Sequence, residues 1–281
     1  MADKTPSISD SVNPFISHSG VVFLKLGGSL ITDKTRPYTA RREVIARLAG
    51  EVRQALEAAP DLGLLVGHGS GSFGHWAARP YGTRQRVQTP TQWRGYAEVA
   101  AAAARLDRII TDDFLKAGIP VLSVQPSASA RCRGGVLEHL DTYPIHAALT
   151  RGLVPLVYGD VALDSVRGGT IISTEDIFLF LAGELHPARI LLLGEVPGVS
   201  GPGGTVVPRI TPADLPALHE VLSGSGGVDV TGGMADKVAR MVELVQHHPE
   251  ICVHILSGTE PGLLARALLD DELHVGTRIT A

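Results

Sequence analysis

The sequence predicts an α/β protein, a three-layer αβα sandwich built on a mainly parallel central sheet. Three observations carry that prediction. Short apolar runs rich in β-branched residues recur along the chain, and stretches with apolar residues at helical spacing separate them. Parallel strands joined through helices need right-handed crossovers, which cover both faces of the sheet. Composition agrees: 44% of the 281 residues are hydrophobic and 19% charged, a globular balance long enough to bury a sizeable core.

VVFLKL (21–26) opens the series as a strand, short and stopped by Gly27-Gly28. Residues 40–59 read as a helix and LGLLVG (62–67) as the second strand. A long helix comes next over 91–118, with Thr89 or Thr91 as N-cap and Gly118 as its stop. PVLSV (120–124) and LVPLVYG (153–159) are the third and fourth strands. A helix near 175–185 leads into ARILLLG (188–194), and one near 234–247 into CVHIL (252–256). Two stretches, 161–172 and 196–210, read as hairpins with Gly-rich turns. Residues 1–19 form a polar extension, and no linker or internal repeat divides the rest.

Several function classes are disfavoured. A net charge of −4 gives no broad case for nucleic acid. Cys132 and Cys252 stand alone, away from disulfide or zinc spacing, so a reducing cytoplasm fits. No apolar run reaches the roughly 18 residues of a membrane span, and the N-terminus lacks a secretory pattern.

In open α/β sheets ligands sit beyond the carboxyl ends of the strands. That brings together the loops 27–34, 67–75 and 194–198. Gly69-Ser-Gly-Ser-Phe-Gly74 matches G-x-G-x-x-G. A dinucleotide site then needs a helix and a second strand, but Pro80, Gly82 and Pro90 interrupt residues 76–93. No Gly-Lys dipeptide occurs, so a Walker A loop is excluded. The glycines still allow close approach and converging N–H groups, an anion cradle; a ligand-free tight turn is the plainer alternative. Strand alternation sets Lys25 on one face and Leu24 and Leu26 on the other, so its ammonium needs a carboxylate, a phosphate or water. Gly232-Gly233 precede a helix with Lys237 one turn in, another candidate phosphate contact or an ordinary helix start.

Read in order, KLGGSLITDK (25–34), HGSGSFGH (68–75), SVQPS (123–127), LVPLVYGDV (153–161), IISTEDI (171–177), GEVPGV (194–199), DVTGGMADK (229–237) and SGTEPGLLARAL (257–268) resemble the amino-acid-kinase superfamily, and within it the isopentenyl phosphate kinases. The resemblance covers about residues 20–280, and the closing histidine of SFGH is its most discriminating feature; fosfomycin kinases share a similar one.

The resemblance implies one amino-acid-kinase domain over 20–281, with an acceptor part to about 175 and an ATP part from about 176. It implies transfer of the γ-phosphoryl of ATP, carried with Mg²⁺, to isopentenyl phosphate by a cytoplasmic homodimer with no protein metal ligand. A fosfomycin-type phosphonate kinase or a non-catalytic nucleotide sensor are the alternatives. Lys25, Lys34, His75 and Asp176 would be catalytic, Asp176 holding the lysines in place. Lys25, Gly27, Gly28, Ser29, Gly71, Gly194, Gly233 and Lys237 would contact the nucleotide. Gly69, Ser70, Gly74, His75, Ala78 and Thr174 would contact the acceptor, while His68 is structural. Trp76, Ala77, Ala78, Tyr81, Trp93, Tyr96 and Ala100–Ala104 offer either a pocket for a five-carbon tail or core packing. Thr174-Glu175 stands where Gly-Asp is common, and GEVPGV where Thr-Asp-Val-Asp-Gly-Val is usual, so Glu175 and Glu195 carry no assigned role.

Overall fold

Alternation in VVFLKL sorts its side chains between two cores. Val22, Leu24 and Leu26 join one apolar cluster, and Val21 and Phe23 join the other. This strand is β1 (Val21–Leu26) of the computed structural model, which describes residues 20–216, 218 and 233–281. The polar extension 1–19 and Gly232 lie outside the described residues.

The remaining elements keep closely to the predicted order. They are α1 (Gly28–Ile31), α2 (Arg42–Ala58), β2 (Gly63–His68), α3 (Gly71–Ala78), α4 (Pro90–Lys116) and β3 (Val121–Ser123). Next come β4 (Arg131–Arg133), β5 (Val136–His139), α5 (Tyr143–Leu149), β6 (Val154–Tyr158), β7 (Asp160–Asp164), β8 (Gly168–Ile172) and α6 (Thr174–Leu185). The chain finishes with β9 (Arg189–Gly194), β10 (Arg209–Ile210), α7 (Gly233–His247), β11 (Cys252–Ser257), α8 (Leu263–Leu269) and β12 (Thr277–Ile279).

Eight strands form the main sheet in the order β10-β12-β11-β9-β1-β2-β6-β3. Only β11 and β12 pair antiparallel. Helices α2, α4 and α8 pack on one face, α6 and α7 on the other, giving the predicted three layers. The chain leaves β1 for β2 on one side and later returns to β9 on the other. The order therefore reverses at β1, where the crevice of such sheets opens.

Thr89 caps α4, and its capping box with Gln92 explains why the helix begins there. At the other end Gly118 takes φ +82°, the left-handed stop that glycine permits. The 161–172 hairpin forms as β7 and β8. It belongs to a second sheet, β5-β4-β7-β8, which the periodicity did not reveal. The two strands the sequence left unmarked, β4 and β5, have three and four residues, too few for an alternation signal. Asp164 stitches it by accepting the N–H groups of Gly134, Gly135, Val166 and Arg167 at 2.6–3.0 Å. The predicted 196–210 hairpin is corrected: Ser200 and Val206 make a single bridge, and β10 pairs with β12 in the main sheet. Pro197, Pro202 and Pro208 lack the N–H groups a longer ladder needs.

Candidate active site

Two loops meet at the carboxyl end of β1. Gly27 N–H donates to Leu193 O at 2.8 Å, tying the first loop to β9, and Gly69 N–H donates to Leu26 O at 3.0 Å. The backbones of Gly28 and Gly71 touch: a Cβ on Gly28 would lie 2.6 Å from Gly71 N. Gly71 also has φ +49°, and a Cβ there would lie 2.2 Å from Thr32 Oγ1. Thr32 pins both loops, donating to Gly28 O at 2.6 Å and accepting Ser72 N–H at 2.9 Å.

This approach leaves donors pointing outward. Among the described residues, the N–H groups of Ser70 and Gly71 have no protein acceptor. Helices α1 and α3 both begin here, and first-turn N–H groups lack intrahelical partners. The juxtaposition suits an anion. Gly74 has a packing reason of its own, since a Cβ there would lie 2.1 Å from Ser70 Oγ.

Lys25 stands opposite Gly67 in β2 and Leu192 in β9, with 7% of its surface exposed. Its ammonium donates to Glu175 on the first turn of α6. Burial pushes the Glu175 carboxyl up, but the charges of Lys25 and Lys237 and the hydrogen bond from Lys25 outweigh it and hold it at about 2. Glu175 therefore links a lysine of β1 with a lysine of α7.

The role expected for Asp176 is corrected. Its carboxylate accepts Ser173 N–H at 2.7 Å and Ser173 Oγ–H at 2.8 Å, and pairs with Arg240 of α7. Successive side chains on a helix point about 100° apart, so only one of the two acids can face β1. Ser173-Thr-Glu-Asp176 is a capping box, a signal readable in the sequence that would have assigned Asp176 to the cap and released Glu175. Arg240 was also missed. It lies three positions beyond Lys237 on one helix face.

Thr174, expected to contact the acceptor, has its side chain committed within the protein. Its hydroxyl donates to His68 O at 2.6 Å and the residue is 1% exposed, so it clamps α6 to the end of β2. His68, expected to be structural, is fully buried. Its ring stacks on Tyr158 with 5.4 Å between centroids and reaches Asp107 Oδ1 at 3.4 Å, while Asp107 also accepts Ser123 Oγ–H at 2.6 Å.

His75 is half-buried, one turn into α3, and its imidazole has no hydrogen-bond partner among the described residues. Ser29 and Ala78 are half-buried on α1 and α3. Gly194 ends β9, and its carbonyl accepts Gly258 N–H at 2.8 Å. Gly233 begins α7, with Lys237 half-buried beyond it. Lys34 lies in an exposed turn after α1. Glu195 pairs with Arg41 at 2.5 Å across the site's rim.

The 76–104 stretch divides between core and surface. Ala77, Ala102 and Ala103 are core, and Ala101 is exposed. Trp76, Ala78, Tyr81, Tyr96, Ala100 and Ala104 are half-buried, and Trp93 is exposed with its ring edge-on to Tyr96 at 5.4 Å.

The meeting loops and the buried Lys25–Glu175 pair lie in a chain that is similar to known proteins along most of its length. The amino acid kinase family model matches residues 20–257. The chain belongs to that family. Within it, similarity runs to the isopentenyl phosphate kinases. The chain is 34% identical to that of Methanothermobacter thermautotrophicus over 270 residues, 92% of this chain and 99% of the relative. It is 36% identical to that of Haloferax volcanii over 252 residues, 88% and 98% of the two chains. A solved isopentenyl phosphate kinase superposes with a TM-score of 0.77 at 31% identity, covering 92% of this chain and all of that one. Among the described residues, no helix is long and apolar enough to cross a membrane.

Proposed function

We propose that this chain transfers the γ-phosphoryl group of ATP to isopentenyl phosphate, giving isopentenyl diphosphate and ADP. The observation that carries the proposal is the paired loop: free N–H groups at Ser70 and Gly71, Lys25 behind them, and an uncommitted imidazole at His75. End-to-end similarity to isopentenyl phosphate kinases supports the substrate class.

Donor and acceptor are both anions, so the chemistry is positioning and charge neutralisation. An acceptor phosphate has a second pKa of about 6 and is already nucleophilic at neutral pH. One of its oxygens bonds to the γ-phosphorus as the bond to the β–γ bridging oxygen breaks, and ADP leaves with that electron pair. No general base is needed. Lys25, held by Glu175, neutralises the transferred group, and Lys34 reaches the ATP phosphates. Gly27, Gly28, Ser29, Gly71, Gly194, Gly233 and Lys237 line the nucleotide side. Gly69, Ser70, Gly74 and Ala78 border the acceptor, whose phosphate takes a hydrogen bond from His75. The acceptor contacts thus all come from residues before about 175, and residues from about 176 add to the nucleotide side that the loop after β1 begins. Mg²⁺ arrives with ATP as part of the substrate, coordinated by phosphate and water oxygens. Glu175 and Asp176 are already committed to Lys25 and to Ser173 and Arg240.

An acceptor screen with ATP and Mg²⁺, read as ADP release, tests the reading. Turnover is expected with isopentenyl phosphate; turnover with fosfomycin alone, or ATP binding without turnover, would overturn it. A cytoplasmic homodimer completes the proposal, and light scattering of the purified protein checks the oligomer.

A further inference from the structure

The helices that carry the site's acids and cations also meet at their far ends. Both α6 and α7 contribute to the apolar cluster on one face of the sheet, through Leu181 and Ala182 and through Val238, Met241 and Val242. Both then feed adjacent parallel strands, with Arg189 of β9 opposite Cys252 of β11. That register sets the segment after α6 beside the segment after α7. Three metal-ligating side chains converge there: His186, His248 and Glu250.

His186 succeeds the last residue of α6 and takes a left-handed conformation, φ 44° and ψ 62°. His248 N–H closes the end of α7 on Leu244 O at 2.8 Å, and Ile251 N–H returns to His248 O at 3.0 Å, turning Glu250 toward the histidines. One donor atom from each residue lies within 4.8 Å of the other two. His248 Nδ1 is 3.6 Å from Glu250 Oε1, and the two imidazole rings stand edge to face with centroids 6.2 Å apart. Among the described residues, that ring contact is the only interaction of the His186 imidazole. His186 and Glu250 are exposed and His248 is half-buried, so an ion has a path in. Among the described residues no other three His, Cys, Asp or Glu side chains converge in this way.

We propose that His186, His248 and Glu250 bind a divalent transition-metal ion, zinc in type, that clasps the far ends of α6 and α7. Two imidazoles and a carboxylate are the donor set such ions take, with a fourth position left to water. Zinc bonds of about 2.0–2.2 Å put neighbouring donors roughly 3.3 Å apart. Binding requires the donors, now within 4.8 Å of one another, to close to that spacing by side-chain rotation, which the exposure of His186 and Glu250 permits. The donor set is poorly matched to Mg²⁺, which prefers oxygen and water, so the ion that accompanies ATP does not compete. The ion would act on stability rather than on chemistry. Helix α6 carries Glu175 and α7 carries Lys237, so the clasp fixes the two helices whose opposite ends frame Lys25.

Zinc titration of the tag-free, chelator-stripped full chain by calorimetry tests this, with Co²⁺ absorption as a second readout. One equivalent should bind, Co²⁺ should give visible d–d bands, and zinc should raise the melting temperature. His186→Asn keeps a residue tolerant of the left-handed conformation, and His248→Gln and Glu250→Gln are conservative. Each histidine variant should weaken zinc binding at least ~10-fold, and the double variant His186→Asn with His248→Gln should lose the zinc-dependent rise in melting temperature while its metal-free melting temperature stays near that of the parent. Absence of uptake by the parent, or uptake unchanged in the double variant, would overturn the proposal. Unchanged uptake in Glu250→Gln together with both single histidine variants would do the same.

Discussion

Replacing Glu175 by glutamine isolates the contact that the structure puts at the centre of the site. The substitution keeps shape and removes one charge from a pair in which Lys25 is 7% and Glu175 9% exposed. The carboxyl's fall from 4.5 to about 2 corresponds to about 3 kcal/mol of favourable interaction in the folded state. Breaking a buried pair from one side costs a similar 3–5 kcal/mol, since the remaining charge is stranded. Glu175→Gln should therefore lower stability by about 3 kcal/mol at pH 7, a drop in melting temperature of roughly 6–10 °C. The loss must depend on pH in a particular direction. The folded-state pKa lies below the unfolded one, so the stabilisation is complete above about pH 4.5 and disappears as pH falls toward 2. Chemical denaturation of parent and variant at pH 7 and again near pH 3 measures both quantities. A loss under ~1 kcal/mol at pH 7, or a difference that does not shrink on acidification, would refute the reasoning.

Asp176→Ala supplies the contrast: it removes the capping box of α6 at a cost of about 1–2 kcal/mol, yet should leave kcat within roughly tenfold, whereas Glu175→Gln should reduce it by about 10² or more, the scale of losing one preorganised charge. Steady-state kinetics with isopentenyl phosphate ranks the two, and the reverse order would reinstate Asp176 as the lysine-holding acid. His75→Ala should lower kcat/KM for the acceptor by about 10²-fold, the scale of a hydrogen bond to a charged group. Calorimetry should show nearly unchanged ATP affinity in that variant; equal loss on both sides would place the imidazole elsewhere. Gly71→Ala puts a Cβ 2.2 Å from Thr32 Oγ1 at φ +49° and should cost about 1–3 kcal/mol, with ATP affinity falling as the loops separate. A melting temperature and ATP affinity equal to those of the parent would show that the loops do not need that approach.

The sequence alone determined the layers, most of the strands and the loops that meet at the end of β1. Periodicity in VVFLKL set Lys25 against Leu24 and Leu26, and the cores divide along that line. Glycine runs after β1 and β2 marked the loops that meet, because close backbone approach has a residue-level signature. Short elements left no such trace: α1 has four residues, and β4 and β12 three each, too few for a period to register.

Tertiary structure decided which charges meet. Glu175 and Asp176 are adjacent and chemically alike, so composition cannot choose between them. The choice was made by the rotation of α6 about its axis, fixed when Ser173 capped it and Thr174 bonded to His68 O. Arg240 and Lys237 came to their acids only because α7 packs beside α6, and the trio His186, His248 and Glu250 only because β9 and β11 are neighbours. Local pattern fixes a backbone because its forces act over a few residues. Pairing between distant side chains depends on helix rotation and strand order, which the whole packed core sets together.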